Sequence, residues 1–228
     1  MKSRAMVWMA GVLVLVGCTG SRPVSQRPGL LSTRWVQTSA EYTALALQAY
    51  VDVDETVLDN SPYQAWLVTT GRTFSPESWA RWVQAAQAEP VPGAVAFVQE
   101  ALRHGVQVFY VTNRTSDLEE ATRRNLQAVG FPLPDTLDVI LTRGERPEWA
   151  SSDKEPRRAF LGQRYRILLQ IGDQLGDFMS DPETRAEARR ALVRRYRSWW
   201  GTRWIVLPNP QYGAWQRAPD SLRTWPGN

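Results

Sequence analysis

The chain has 228 residues, 43% of them hydrophobic and 22% charged, and a formal net charge of +4. That is ordinary globular composition, enough for one domain with a real core and a small insert. No block of five or six like charges occurs, which excludes a tail for binding a nucleic-acid polymer; the densest basic stretch, Arg185 to Arg197, has the spacing of a helix with a solvated face.

The first residues read as an address. "MKSR" is a basic start, and "AMVWMAGVLVLVG" is an apolar run too short to span a bilayer comfortably as a permanent helix. The run ends in "LVGC", and Cys18 is the sole cysteine, so no internal disulfide can form. "LVGC" resembles the signals of bacterial lipoproteins. That resemblance implies a signal peptide over 1–17, lipidation of Cys18, and a chain held to the membrane by lipid but otherwise soluble. Residues 18–34 then form a flexible tether around "TGSRPVSQRPG". Thr19, where an Asp would hold the protein back, points to the outer membrane of the cell envelope.

Beyond the tether, "AEYTALALQAY" reads as a helix running into Val51 and Asp52, which leaves Tyr50 and Val51 as a very short strand. The alternative is that "ALALQAYV" is itself the strand. From Ser61 to Pro92 the chain carries several tryptophans and is mostly helical after Ser75-Pro76, as an insert over one edge of a sheet; its expected span is about 61–92. Near-continuous apolar runs follow at Val106 to Val111, Leu137 to Thr142, Ile167 to Ile171 and Trp204 to Leu207, the pattern of parallel strands buried on both faces. Helical patterns alternate with them. One stops at Gly105, a second opens with Ser116 and Glu119 in capping-box spacing and stops at Gly130, and a third starts at Asp181-Pro182. Strand and helix in alternation predict an α/β fold, a Rossmann-like parallel sheet with helices on both faces. His104, the one histidine, falls in the last turn of a helix, where a cation suits the dipole.

Ligands of such sheets bind beyond the carboxyl ends of the strands. Polar residues gather at four such places: Asp52 and Asp54; Thr112, Asn113 and Arg114; Lys154 in a loop before a helix; Asp173 and Asp177. Each group alone is a weak signal. Together they supply carboxylates for a hard cation, a hydroxyl and an ammonium. Oxygen ligands without a Cys or His cluster point to Mg²⁺ and not zinc, and Mg²⁺ with a lysine around an anionic pocket points to phosphoryl transfer.

"DVDET", "VTNR", Lys154 and "GDQLGDF", in that order, resemble the four motifs of the haloacid dehalogenase superfamily of phosphatases. "DVDETVLDNSPY", "IGDQLGDF" and "PNPQYGAW" are similar to one branch, the class C acid phosphatases, which include bacterial lipoprotein acid phosphatases and 5'-nucleotidases. The resemblance covers about Trp35 to Trp215 and implies a phosphatase domain with a small helical cap over 35–228. It implies that Asp52 attacks phosphorus and forms an aspartyl-phosphate, and that Asp54 protonates the leaving oxygen and then activates water, with an acidic optimum. Thr112 and Asn113 would hold the phosphoryl group, with Arg114 beside the substrate, and Lys154 would neutralise it. Mg²⁺ would be held by Asp52, the backbone carbonyl of Asp54, Asp173 and Asp177. The substrates implied are phosphomonoesters, nucleoside 5'-monophosphates first, with the base on Tyr212 and on Tyr63, Trp66 or Trp79 of the insert. A sugar-phosphate or broad phosphatase, and a lipoprotein that keeps the scaffold without activity, stay open as alternatives. So does a homodimer.

Overall fold

A computed structural model describes residues 47–180 and 186–213. Cys18, the leader, the tether and the helix start expected at Asp181-Pro182 lie outside these residues.

The central strand answers the question left by "ALALQAYV". β1 (Leu47–Val51) is five residues long and pairs in parallel along its whole length with two neighbours. β2 (Leu58–Asp59) and β3 (Glu89–Pro90) form a separate antiparallel ribbon. β4 (Val106–Thr115), β5 (Ile140–Arg143), β6 (Arg166–Gly172) and β7 (Trp204–Val206) complete a five-stranded parallel sheet in the order β5-β4-β1-β6-β7. The order runs one way from β1 to β4 and β5 and the other way to β6 and β7. Right-handed crossovers then put helices on opposite faces, with a switch point at β1. The expected α/β fold is the one observed, although β5 begins at Ile140 rather than Leu137 and β4 runs on to Thr115.

β1 is held in place by pairing more than by composition. Leu47 to Val51 stand opposite Val106 to Tyr110, and the amide of Asp52 extends the ladder by donating to Ile171 O at 2.9 Å. Tyr50 and Gln48 are fully buried in a strand where aliphatic residues pack more simply. The main core gathers Val51, Val108, Phe109, Tyr110, Ile140 and Trp149 around it.

Between β2 and β3 the chain leaves the sheet as α1 (Ser61–Thr70) and α2 (Pro76–Ala85). Ser75 caps α2 by accepting from the Ser78 amide at 3.2 Å, and Pro76 opens the helix. The return to the sheet is pinned by Asn125, whose amide donates to Ala88 O at 2.8 Å and accepts from Ala88 N–H at 3.1 Å. α3 (Ala94–Arg103) ends before Gly105, which takes the left-handed conformation the sequence calls for. The capping box expected at Ser116 and Glu119 does not form. Ser116–Leu118 is a 3-10 turn, and α4 (Glu119–Ala128) starts after it with no side-chain cap, while Glu119 accepts from Arg123. α5 (Glu155–Gly162) and α6 (Ala186–Arg195) complete the fold. Among the described residues no helix is long and apolar enough to cross a membrane.

Candidate active site

A cavity of about 1400 Å³ opens over the carboxyl ends of β1, β4, β5 and β6, roofed by α1 and α2. Asp52, Asp54, Asn113, Arg114, Lys154, Asp173, Asp177 and Tyr212 all line it. Residues from five distant stretches of sequence therefore meet in one place.

The turn after β1 explains the one-residue spacing of the first two. Val53 O accepts from the amides of Thr56, Val57 and Leu58 at 3.4, 3.0 and 2.9 Å, winding the chain tightly back on itself. Glu55 sits at the bend with φ 56°, a left-handed conformation that costs a non-glycine residue about 1 kcal/mol or more. Strand alternation would send Asp52 and Asp54 the same way along different levels; this coil brings both carboxylates to the same cavity. Asp52 accepts from the Val53 amide at 2.7 Å. Asp54 accepts from Arg114 Nε at 3.0 Å and Nη2 at 2.8 Å, and from Asn60 Nδ2 at 2.9 Å. Asn60 in turn accepts from Trp82 Nε1 at 2.8 Å, so the roof helix α2 helps to orient Asp54.

Lys154, at the start of α5, reaches between two carboxylates. Its Nζ lies 2.6 Å from Asp52 Oδ1 and 2.6 Å from Asp177 Oδ1. Burial pulls its pKa down, but Asp177 and Asp52 outweigh burial and hold the ammonium above its ordinary value. Burial also pushes the Asp52 carboxyl well up; Lys154 opposes this, and the Asp177 and Asp173 charges add to it. Asp173 is raised for the same reasons, by burial first and then by Asp177.

The loop after β6 depends on one glycine. A Cβ at Gly172 would fall 2.3 Å from Asp177 Oδ2, so only glycine lets the loop fold back this closely. Asp177 then accepts from the Gln174 amide at 2.7 Å. Asp173 accepts from Gln174 Nε2 at 2.8 Å and from Asn209 Nδ2 at 2.7 Å. Asn209 also accepts from the Gln211 and Tyr212 amides, which ties Tyr212 to the same loop.

Asp52, Asp173 and Asp177 are all buried, and each offers an oxygen within 4.8 Å of the others. Three carboxylates face one ammonium. That excess negative charge, presented by hard oxygens alone, suits a divalent cation.

Three expectations need correction. Tyr63 is buried with its hydroxyl 2.9 Å from Ser78 Oγ, and it packs on Trp66, Trp79 and Trp82; it holds the roof together and does not line the cavity. Trp66 stacks on Tyr63 with centroids 5.9 Å apart and also lies off the cavity. The aromatic wall is made by Trp79 and by Phe74, which is 60% exposed. Arg114 lines the cavity but is 2% exposed, and its guanidinium is already taken up by Asp54 and Thr122 under the Trp79 ring, so it also positions Asp54. Thr112 is fully buried below the cavity floor, because β4 continues past it; its Oγ1 accepts from the Arg114 amide at 3.1 Å. Asn113 does line the cavity, and its side chain braces the Lys154 loop through Ser152 O at 3.0 Å and Arg157. Asn60 and Asn209 were assigned no role from sequence, although they fall within "DVDETVLDNSPY" and "PNPQYGAW", and Phe74 and Arg143 carry no motif signal.

Residues 37–215 match the family described as HAD superfamily, subfamily IIIB (acid phosphatase). The fold is similar to that of the class C acid phosphatase from Bacillus anthracis with tungstate bound: TM-score 0.70, 34% identity, 82% of this chain and 74% of that one. Acid phosphatase 1 of Solanum lycopersicum is 30% identical, covering 71% of this chain and 56% of that protein. Vegetative storage protein 1 of Arabidopsis thaliana is 25% identical over 71% of this chain and 53% of its own length. The chain spans about half the length of these two plant relatives.

Proposed function

From the premise that this chain belongs to the HAD superfamily, subfamily IIIB (acid phosphatase), we propose that it hydrolyses phosphomonoesters with Mg²⁺, nucleoside 5'-monophosphates among them. The observation that carries the reading is the convergence of Asp52, Asp54, Lys154, Asp173 and Asp177 on one cavity. The likeness to a phosphatase with tungstate bound agrees with it, since tungstate is a tetrahedral oxyanion like phosphate.

In this reading Asp52 is the nucleophile. Its carboxylate attacks phosphorus and an aspartyl-phosphate forms as the ester oxygen leaves. Asp54, steered by Arg114 and Asn60, gives that oxygen a proton and then takes one from the water that hydrolyses the acyl phosphate. Lys154 neutralises the phosphoryl oxygens from its place beside Asp52. Asp52, Asp173 and Asp177 would hold Mg²⁺, with the Asp54 carbonyl, and the ion would add positive charge where the phosphoryl group gathers negative charge. Tyr212 on one side and Trp79 and Phe74 on the other offer faces for a nucleobase. The scaffold-without-activity alternative rested on a stunted β1, and the full pairing of that strand argues against it.

Hydrolysis of p-nitrophenyl phosphate with Mg²⁺ or with EDTA, by wild type and Asp52→Asn, tests the reading. Turnover should need metal and fall by about 10⁴-fold or more in the variant. Folded wild type that shows no turnover between about pH 4 and 8 sinks it. We also propose lipid anchoring through Cys18 in the bacterial outer membrane; Cys18→Ser should then leave the protein in the soluble fraction, and retention on membranes rules that anchor out.

A further inference from the structure

The two ends of the cavity differ in charge. Near β6 stand the three buried carboxylates. Near β4 and β5 stand two arginines, Arg143 and Arg157, and neither has a carboxylate within ion-pair reach among the described residues. Arg143 closes β5 and lines the cavity. Among the described residues its guanidinium makes no hydrogen bond and no ring contact. The other cations that line the cavity are engaged: Lys154 with Asp52 and Asp177, Arg114 with Asp54, and Arg72 over the Trp66 ring.

Arg157 lies just beneath, fully buried. It donates to Thr112 O, Asn113 Oδ1 and Asp153 O, all uncharged acceptors, and its Nε has no partner. Burial pushes its pKa down to about 10; Asp52 opposes this, and the Arg143 charge pushes the same way as burial. A buried cation with no ion pair is unfavourable, and with a second one at the rim this end of the cavity holds two guanidinium charges for an incoming anion to meet. Asp117 and Asp153 also line the cavity, but Asp153 is held by the Glu155 amide and Ser180, and neither pairs with Arg143.

β5 stands two strand spacings from β1, about 10 Å. An extended arginine side chain can close part of that gap, so Arg143, which lines the same cavity as Asp52, can meet an anion at the shorter spacing of two phosphates on one ribose. The cavity, about 1400 Å³, exceeds the roughly 300–1,000 Å³ of most small-molecule sites. We propose that Arg143 forms a second anion subsite, and that the preferred substrates carry a second phosphate one ribose away, as nucleoside 3',5'-bisphosphates do. The inference rests on the phosphatase reading above. The reaction is ordinary monoester hydrolysis: the 5' P–O bond breaks, water supplies hydroxyl to phosphorus and a proton to the leaving oxygen, and inorganic phosphate and the nucleoside 3'-monophosphate are released.

The test compares adenosine 3',5'-bisphosphate with adenosine 5'-monophosphate on wild type, Arg143→Gln and Arg143→Lys. Wild type should prefer the bisphosphate by about tenfold in kcat/KM, chiefly through KM. Arg143→Gln should erase the preference and leave 5'-monophosphate hydrolysis within about twofold. Arg143→Lys should keep part of it. Equal use of both substrates by wild type, or an equal loss on both in Arg143→Gln, overturns the subsite while leaving the phosphatase reading intact. Calorimetric binding of the bisphosphate to metal-loaded wild type and Arg143→Gln covers the case in which no monoester is turned over. Tighter binding by wild type then upholds the subsite, and equal binding overturns it.

Discussion

Asp54 has the most elaborate support of any side chain in the site. Arg114 grips it with two nitrogens, Asn60 adds a third donor, and Trp79 and Trp82 brace those two in turn. Arg114→Gln removes a nearly buried partner, with side-chain exposures of 1% and 17% across the pair. Unfolding free energy should fall by about 3 kcal/mol and kcat by roughly 10–100-fold, with KM little changed; urea melts and steady-state kinetics on the same variant check both, and unchanged kcat would show that Asp54 needs no such clamp. Glu55 gives a pH prediction. Its carboxyl is pushed from an ordinary 4.5 to about 8, by burial first and then by the Asp54 charge. The folded chain thus keeps a proton that the unfolded chain has lost between those values. Stability should fall as pH rises from about 4.5 to 8, then level off. Measured with EDTA present, the decline should be shallower in Glu55→Gln; an identical slope in both proteins refutes the assignment. The motif acids were readable because four spaced groups of polar residues pointed to one chemistry. Tyr63 and Trp66 were misread because they sit three apart on α1, and sequence does not say which way that helix is rolled. The helix turns Tyr63 inward onto Trp79 and Trp82 with Trp66 stacked on it, and Phe74, just outside the cap of α2, takes the cavity position instead.

Strand β4 announces itself, since Val106 to Val111 is an apolar run with nothing to compete. β1 does not. Leu47, Gln48, Ala49 and Tyr50 continue a helical pattern, and only pairing with β4 and β6 on both sides decides the matter. Such non-local pairing is invisible in any local window. The strand carries a mark of this compromise in Gln48, 2% exposed, whose Oε1 has no hydrogen-bond partner. Gln48→Met keeps the volume and removes the orphaned acceptor. It should stabilise the fold by about 1 kcal/mol, a rise in Tm of roughly 2–4 °C. A drop in Tm would overturn this reading of Gln48 as an unpaired acceptor. The turn at Ser116 shows the opposite failure, a good local signal overruled by a 3-10 turn that carries the chain from β4 into α4.

The site lies where sheet and roof meet, so anything that binds there joins both layers. Mg²⁺ with a phosphate-like oxyanion should stabilise the protein by about 2.7 kcal/mol at a hundredfold excess over Kd, and EDTA should reverse the gain. Differential scanning fluorimetry with Mg²⁺, tungstate and both together measures it; no shift with any of them contradicts a metal site at Asp52, Asp173 and Asp177. Lys154 allows such a ligand's hold to be timed. Lys2 and Lys154 are the only lysines in the sequence, and Lys154 is 4% exposed between its two carboxylates. An amine-acylating reagent can reach it only when the cleft breathes. Its labelling rate is a built-in clock for opening, slowed by whatever seals the cleft, and the labelled fraction counts the molecules that have lost the ammonium between Asp52 and Asp177.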